Sequence, residues 1–163
     1  MAIVATSLLP AEVRPVKYHL RLSPNLTAYT FAGEETVEIQ VLEPTSRIVV
    51  NAAELEIQEA HLLQDGQRTP AQAIALDEEA ETATLTFAAP IPTGTSQIYM
   101  RFTGILNDKL RGFYRSEYTL PDGTKRIMAT TQFEAPDARR AFPCWDEPAY
   151  KAQFEISLVI PEH

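Results

Sequence analysis

The chain has 163 residues, enough for one domain with a sizeable core, of which 45% are hydrophobic and 22% charged, with a net charge of -8 at pH 7. That acidic balance argues against nucleic acid or an anionic membrane as a partner, because both demand basic patches. One cysteine excludes an intrachain disulfide, and no segment approaches the ~20 apolar residues of a membrane helix.

Residues 1–15 read as a lead-in segment with prolines at Pro10 and Pro15, and residues 16–163 as one β-domain. The first seven residues have neither the basic start nor the long apolar run of a secretion signal, so the cytoplasm is the expected location. Residues 16–22 alternate, with Val16, Tyr18, Leu20 and Leu22 on one face and Lys17, His19 and Arg21 on the other. That period of two predicts a half-buried strand. Ser23-Pro24-Asn25 is a turn. Asn25-Leu26-Thr27 matches a glycosylation acceptor, but no secretion signal accompanies it. Residues 34–41 alternate again, 47–50 form a short strand, and the imperfect alternation of 55–63 predicts a bulged one. Asp65-Gly66 signals a hairpin turn, and residues 77–81 an acidic surface turn.

Residues 82–87 read as a strand, 90–94 as a loop, and 96–102 as a strand with Ile98, Met100 and Phe102 on one face. Residues 110–118 and 125–133 are two strands joined across Pro121-Asp122-Gly123, and 154–160 alternate once more. About nine strands at short spacings, with turn chemistry between them and no long helix, predict an all-β fold, an antiparallel β-sandwich.

One run reads as neither plain strand nor plain turn. Residues 131–148 contain two arginines, four acids, three prolines, the sole Trp and the sole Cys. Pro136 stops the ladder of the preceding strand, since it has no N–H to donate. Residues 137–142 suit a short helical turn with Asp137 near its start. Arg139 and Arg140 beside Asp137, Asp146 and Glu147 predict a semi-buried ion-pair network, because interior arginines and acids must be paired. Cys144, between Pro and Trp, reads as a buried small hydrophobe. Glu134 lies at a strand end before a loop, where side chains are offered to ligands; its bland alternative is pairing with Arg139 or Arg140.

Complete catalytic constellations are missing from the sequence. His19, His61 and His163 do not stand at metal-ligand spacing, and H-E-x-x-H, G-x-S-x-G, a P-loop and G-x-G-x-x-G do not occur. His19 and His61 fall in strand-like segments as solvent-facing or satisfied residues.

Leu9-Pro10, then Val13-Arg14-Pro15-Val16-Lys17-Tyr18-His19-Leu20, then Phe31-Ala32-Gly33-Glu34-Glu35-Thr36-Val37-Glu38-Ile39, resemble the opening of the aminopeptidase N and puromycin-sensitive aminopeptidase family of zinc metallopeptidases. Gly112-Phe113-Tyr114-Arg115-Ser116 and the 131–148 run resemble that family in the same order, across nearly the whole chain. The resemblance implies an N-terminal saddle-like β-sandwich that docks on a separate catalytic domain of the same chain. The G-x-M-E-N and H-E-x-x-H motifs of that catalytic domain do not occur here. On this reading the sequence is a piece that ends before the sandwich is complete; it is inactive alone and binds no zinc itself. The parent would use zinc to release N-terminal residues from peptides with a free N-terminus.

The resemblance further implies that Glu134 binds the substrate's α-amino group, with Gln132 beside it at the pocket for the first residue. A preplaced carboxylate suits that task, since a charge-assisted hydrogen bond is strong only to the cationic terminus. It also implies an exposed apolar patch where the catalytic domain docks. The competing expectation is a free-standing β-sandwich binding or scaffold module without peptidase activity, since one fold hosts many functions.

Overall fold

The computed structural model describes residues 8–160; the seven residues read against a secretion signal, and His163, lie outside them. The described residues form eleven strands: β1 (Val13–Asn25), β2 (Thr30–Val41), β3 (Thr45–Asn51), β4 (Leu55–Gln64), β5 (Gln67–Pro70), β6 (Ala73–Asp77), β7 (Thr82–Ile91), β8 (Gly94–Ile105), β9 (Gly112–Thr119), β10 (Lys125–Gln132) and β11 (Gln153–Leu158). A six-stranded sheet runs β11-β1-β2-β8-β4-β5, a three-stranded sheet β3-β7-β6, and β9 and β10 pair as a separate hairpin.

The alternating residues of the two larger sheets meet in one core. Tyr18, Leu20, Val37, Ile39, Ile98, Met100 and Phe102 come from the larger sheet, and Ile48, Val50, Ala83 and Leu85 from the smaller. The all-β, mainly antiparallel sandwich expected from the strand spacings is therefore the observed class. The exception to antiparallel pairing is β11, which runs parallel to β1 in the register Tyr18–Phe154, Leu20–Ile156, Leu22–Leu158. These three β11 partners stand beside buried residues of β1, yet all three are more than half exposed.

Several details depart from the alternation. The β1–β2 register shifts between Pro15 and Lys17. Val13 and Pro15 take the inner phase and Val16 turns out to 45% exposure, so it does not share a face with Tyr18. The bulge expected in 55–63 falls between Ile57 and Glu59. β5 lacks the apolar period that would reveal it, and every one of its side chains is exposed; β6 is a short edge strand in which Ile74 alone is part-buried. The 90–94 loop shrinks to Pro92 and Thr93, because β7 runs on to Ile91. Pro90 is tolerated there because the β3–β7 ladder breaks register between Thr45–Ile91 and Arg47–Thr86.

Glu35 faces inward from β2 and is buried, with neither carboxylate oxygen hydrogen-bonded. Burial pushes its pKa well above the usual carboxylate range, so it stands as a neutral acid in the core.

Candidate functional site

The β9–β10 hairpin delivers Gln132 to the edge of the sandwich. Gln132 is the last residue of β10 and pairs in register with Gly112, the first of β9. The chain then leaves the sheet through Phe133, whose half-buried ring meets Phe142 edge-on at 6.0 Å. Phe142 in turn contacts Tyr18, which stacks on Phe154 at 4.7 Å. Aromatic pairs of this kind contribute about 0.5–1.5 kcal/mol each beyond the area they bury.

Glu134 follows, exposed together with Gln132, Ala135 and Pro136; the Glu134–Ala135 peptide is cis. The turn closes when the Asp137 N–H donates to the Phe133 carbonyl at 2.9 Å. Beside it a shallow hollow of about 260 Å³ is lined by Tyr18, Ala135, Phe142, Trp145, Pro148 and Phe154 among others.

The helical turn expected over 137–142 is a single 3-10 turn, Ala138–Arg140. Asp137 occupies its N-cap position without capping it. Its carboxylate instead accepts from Arg140 Nε at 2.8 Å. The Arg140 guanidinium also reaches Glu54, at 2.9 Å, and Glu81. Burial draws the Arg140 pKa down, but the facing carboxylates of Asp137, Glu81 and Glu54 outweigh it and the net shift is upward. Arg139, buried to 5% exposure, donates through Nε to Asp146 at 3.0 Å and through its terminal nitrogen to Glu81 at 3.2 Å.

The predicted network is thus present, with a different acid membership. Glu147 is not part of it; its carboxylate accepts the backbone N–H of Leu9 at 2.6 Å. Glu54 and Glu81 join instead, from the connection before β4 and the turn before β7. Both hold left-handed backbone angles, φ 57° and 51°, uncommon for a residue with a Cβ. Sequence reading saw the second of them as part of a surface acidic turn. A faint signal existed in each case, an acid at a turn position where glycine or asparagine is usual.

Gly112 is a further residue missed. Its φ of +67° favours glycine, and a Cβ there would come within 2.6 Å of the Arg140 Cβ. The 3-10 turn therefore presses directly on the strand facing Gln132.

Among the described residues Glu134 makes no ion pair, while Arg139 and Arg140 are taken by other carboxylates. The bland alternative, a Glu134 pair with either arginine, is not what the fold contains. Cys144 is buried, and burial foremost, then the negative charge of Asp146, pushes its thiol pKa well up. It is a core residue, hydrogen-bonded through its backbone to Asn51 in both directions. His19 lies on the outer face with its two ring nitrogens each 3.3 Å from a carboxylate, Glu38 and Glu155. No group of three or more His, Cys, Asp or Glu among the described residues is arranged to hold a metal ion. They do not fit a zinc site.

Comparison with known proteins places this sequence in a family. The chain is 47% identical over 153 residues to "Aminopeptidase M1-D" of Oryza sativa subsp. japonica, covering 94% of the chain and 17% of that relative. It is 38% identical over 163 residues to the "Puromycin-sensitive aminopeptidase" of Caenorhabditis elegans, covering 99% of the chain and 17% of the relative. It is 37% identical over 158 residues to "Aminopeptidase N" of Acetobacter pasteurianus, covering 97% of the chain and 43% of the relative. The chain spans about a sixth of the length of the first relatives it matches. The profile described as "Peptidase M1 N-terminal domain" matches residues 14–163, and the chain belongs to that family.

Proposed function

We propose that this domain is the N-terminal accessory part of a zinc-dependent aminopeptidase, and that Glu134 binds the free α-amino group of the peptide substrate. The observation that carries the reading is the state of Glu134: an exposed carboxylate without an ion-pair partner among the described residues, five and six residues before the saturated Arg139 and Arg140. An exposed acid left unpaired is available to an external cation, and a substrate ammonium is such a cation. Gln132, exposed two residues earlier, would line the pocket for the first side chain.

In this reading the zinc, its ligands and the hydrolytic residues belong to a catalytic domain of the same parent chain. Glu134 contributes orientation and sets the length of the unprimed side, which selects free N-termini over mid-chain peptide. In the same reading the domain alone is inactive and the parent works in the cytoplasm. The half-exposed row Phe154, Ile156, Leu158 supports burial against the remainder of the parent chain.

The test is Glu134→Ala in the full-length protein, assayed on amino-acid arylamides. The substitution lowers kcat/KM by roughly 1.5–3 kcal/mol, the worth of a hydrogen bond to a charged group. Kinetics equal to wild type would remove Glu134 from the amine site. Hydrolysis of the same arylamides by residues 1–163 alone would contradict the accessory role.

A further inference from the structure

We propose that Arg140, acting through Asp137, is the positioning residue that fixes where Glu134 stands; the inference rests on the ligand role of Glu134 given above. Glu134 has no hydrogen bond or ion pair of its own side chain among the described residues, so its place is set by the two ends of its turn. One end is Phe133, seated against Phe142. The other is Asp137, which is tied three ways. Its N–H reaches the Phe133 carbonyl at 2.9 Å, its carbonyl accepts the Arg140 N–H at 3.2 Å, and its carboxylate accepts Arg140 Nε at 2.8 Å.

Arg140 can serve as the fixed point because it is itself held on every side. Glu54 and Glu81 take its terminal nitrogens from two separate turns. Gly112, which faces Gln132 across the hairpin, lets the Arg140 Cβ approach to a distance a side chain would forbid. One residue therefore refers Glu134 to the sandwich, through its guanidinium and the two acids, and to the β9–β10 hairpin, through its Cβ and the glycine. Arg139 has other obligations: its side-chain hydrogen bonds go to Asp146 and Glu81, and none goes to the 133–137 turn. The consequence is chemical. A carboxylate–ammonium contact is short-ranged, and a displacement of about 1 Å is enough to change rates by up to about 10²-fold.

The experiment is a double-mutant cycle in the full-length protein, with an amino-acid arylamide as the probe. Asp137→Asn keeps the shape of the turn and removes the charge that Arg140 holds. It raises KM about tenfold with kcat within about twofold, and it adds nothing once Glu134→Ala is present. Arg140→Lys, which retains charge without the fork, shows the same pattern in milder form. A merely structural role would lower the active fraction, and so kcat, at unchanged KM. Wild-type kinetics for Asp137→Asn, or an effect that persists in full beside Glu134→Ala, overturns the positioning role and leaves the Glu134 assignment standing. A Glu134→Ala variant with wild-type kinetics overturns both.

Discussion

Arg140 and Asp137 are joined twice, once through the side-chain bond from Nε at 2.8 Å and once through the backbone bond from the Arg140 N–H at 3.2 Å. The pair is unequal. Asp137 has one guanidinium to lose, whereas Arg140 faces three carboxylates. Arg140→Ala removes three pairs at once, although Glu54 keeps Arg111 and Glu81 keeps Arg139, and it destabilises by about 2–3 kcal/mol; Asp137→Ala leaves the arginine two partners and costs about 1 kcal/mol. Urea unfolding of the two variants gives the comparison, and equal losses would contradict the asymmetry.

Glu35 predicts a pH dependence of stability with an unusual sign. Its folded pKa lies above its ordinary value because burial disfavours the charged form. The protonated carboxyl is fully compatible with the fold below the ordinary value. As pH rises above it, the unfolded chain releases the proton first and stability falls, by at most about 1.4 kcal/mol per pH unit, until the folded pKa is reached. Glu35→Leu abolishes this component. The quantity to measure is the difference in unfolding free energy between wild type and variant from pH 5 to pH 8; a flat difference would mean that Glu35 is not buried as a neutral acid.

Two glycines with similar backbone angles separate strain from collision. Gly112 and Gly123 both have positive φ, 67° and 84°, but a Cβ at Gly123 meets open space while one at Gly112 meets Arg140. Gly123→Ala carries the backbone penalty alone, about 1 kcal/mol. Gly112→Ala adds displacement of the 3-10 turn and costs about 2–4 kcal/mol. Thermal unfolding of both variants decides it, and only the second is expected to alter arylamide kinetics in the full-length protein.

Cys144 is buried and its thiol is held in the neutral form at ordinary pH. A thiol reagent applied to the folded protein is therefore slow to react at this position and becomes fast in denaturant. Rapid labelling under native conditions would show that residues 142–146 open far more readily than their hydrogen bonds to Asn51 and Tyr18 imply.

The strands with one buried face were legible because alternation reports burial directly, as in residues 96–102. β5 was not, because its pairing rests on backbone bonds at a sheet edge and leaves no mark on side-chain choice, and β6 is too short, with one part-buried side chain, to stand out. The parallel course of β11 was equally hidden, since a period of two has no direction. At the site, the chemistry of 131–148 announced a charge network and the resemblance pointed to Gln132 and Glu134. The acids that complete the network came from turns far off in sequence, and only the fold brings Glu54 and Glu81 to Arg140. Val16 shows the limit of pattern reading: one register shift beside Pro15 reversed its face.

Glu54 and Glu81 also place a constraint on the order in which the chain can mature. The two bonds from Glu81 to the arginine pair span 58 and 59 residues, and Glu54 is more distant still. A ribosome-bound chain that has not yet exposed Arg140 can lay down most strands of both larger sheets and pair Glu54 with Arg111, but Glu81 then stands without its two arginines. The side-chain ties of the Glu81 turn wait for the emergence of residues 139–140. Early strand formation and late locking are thus separated in time during synthesis.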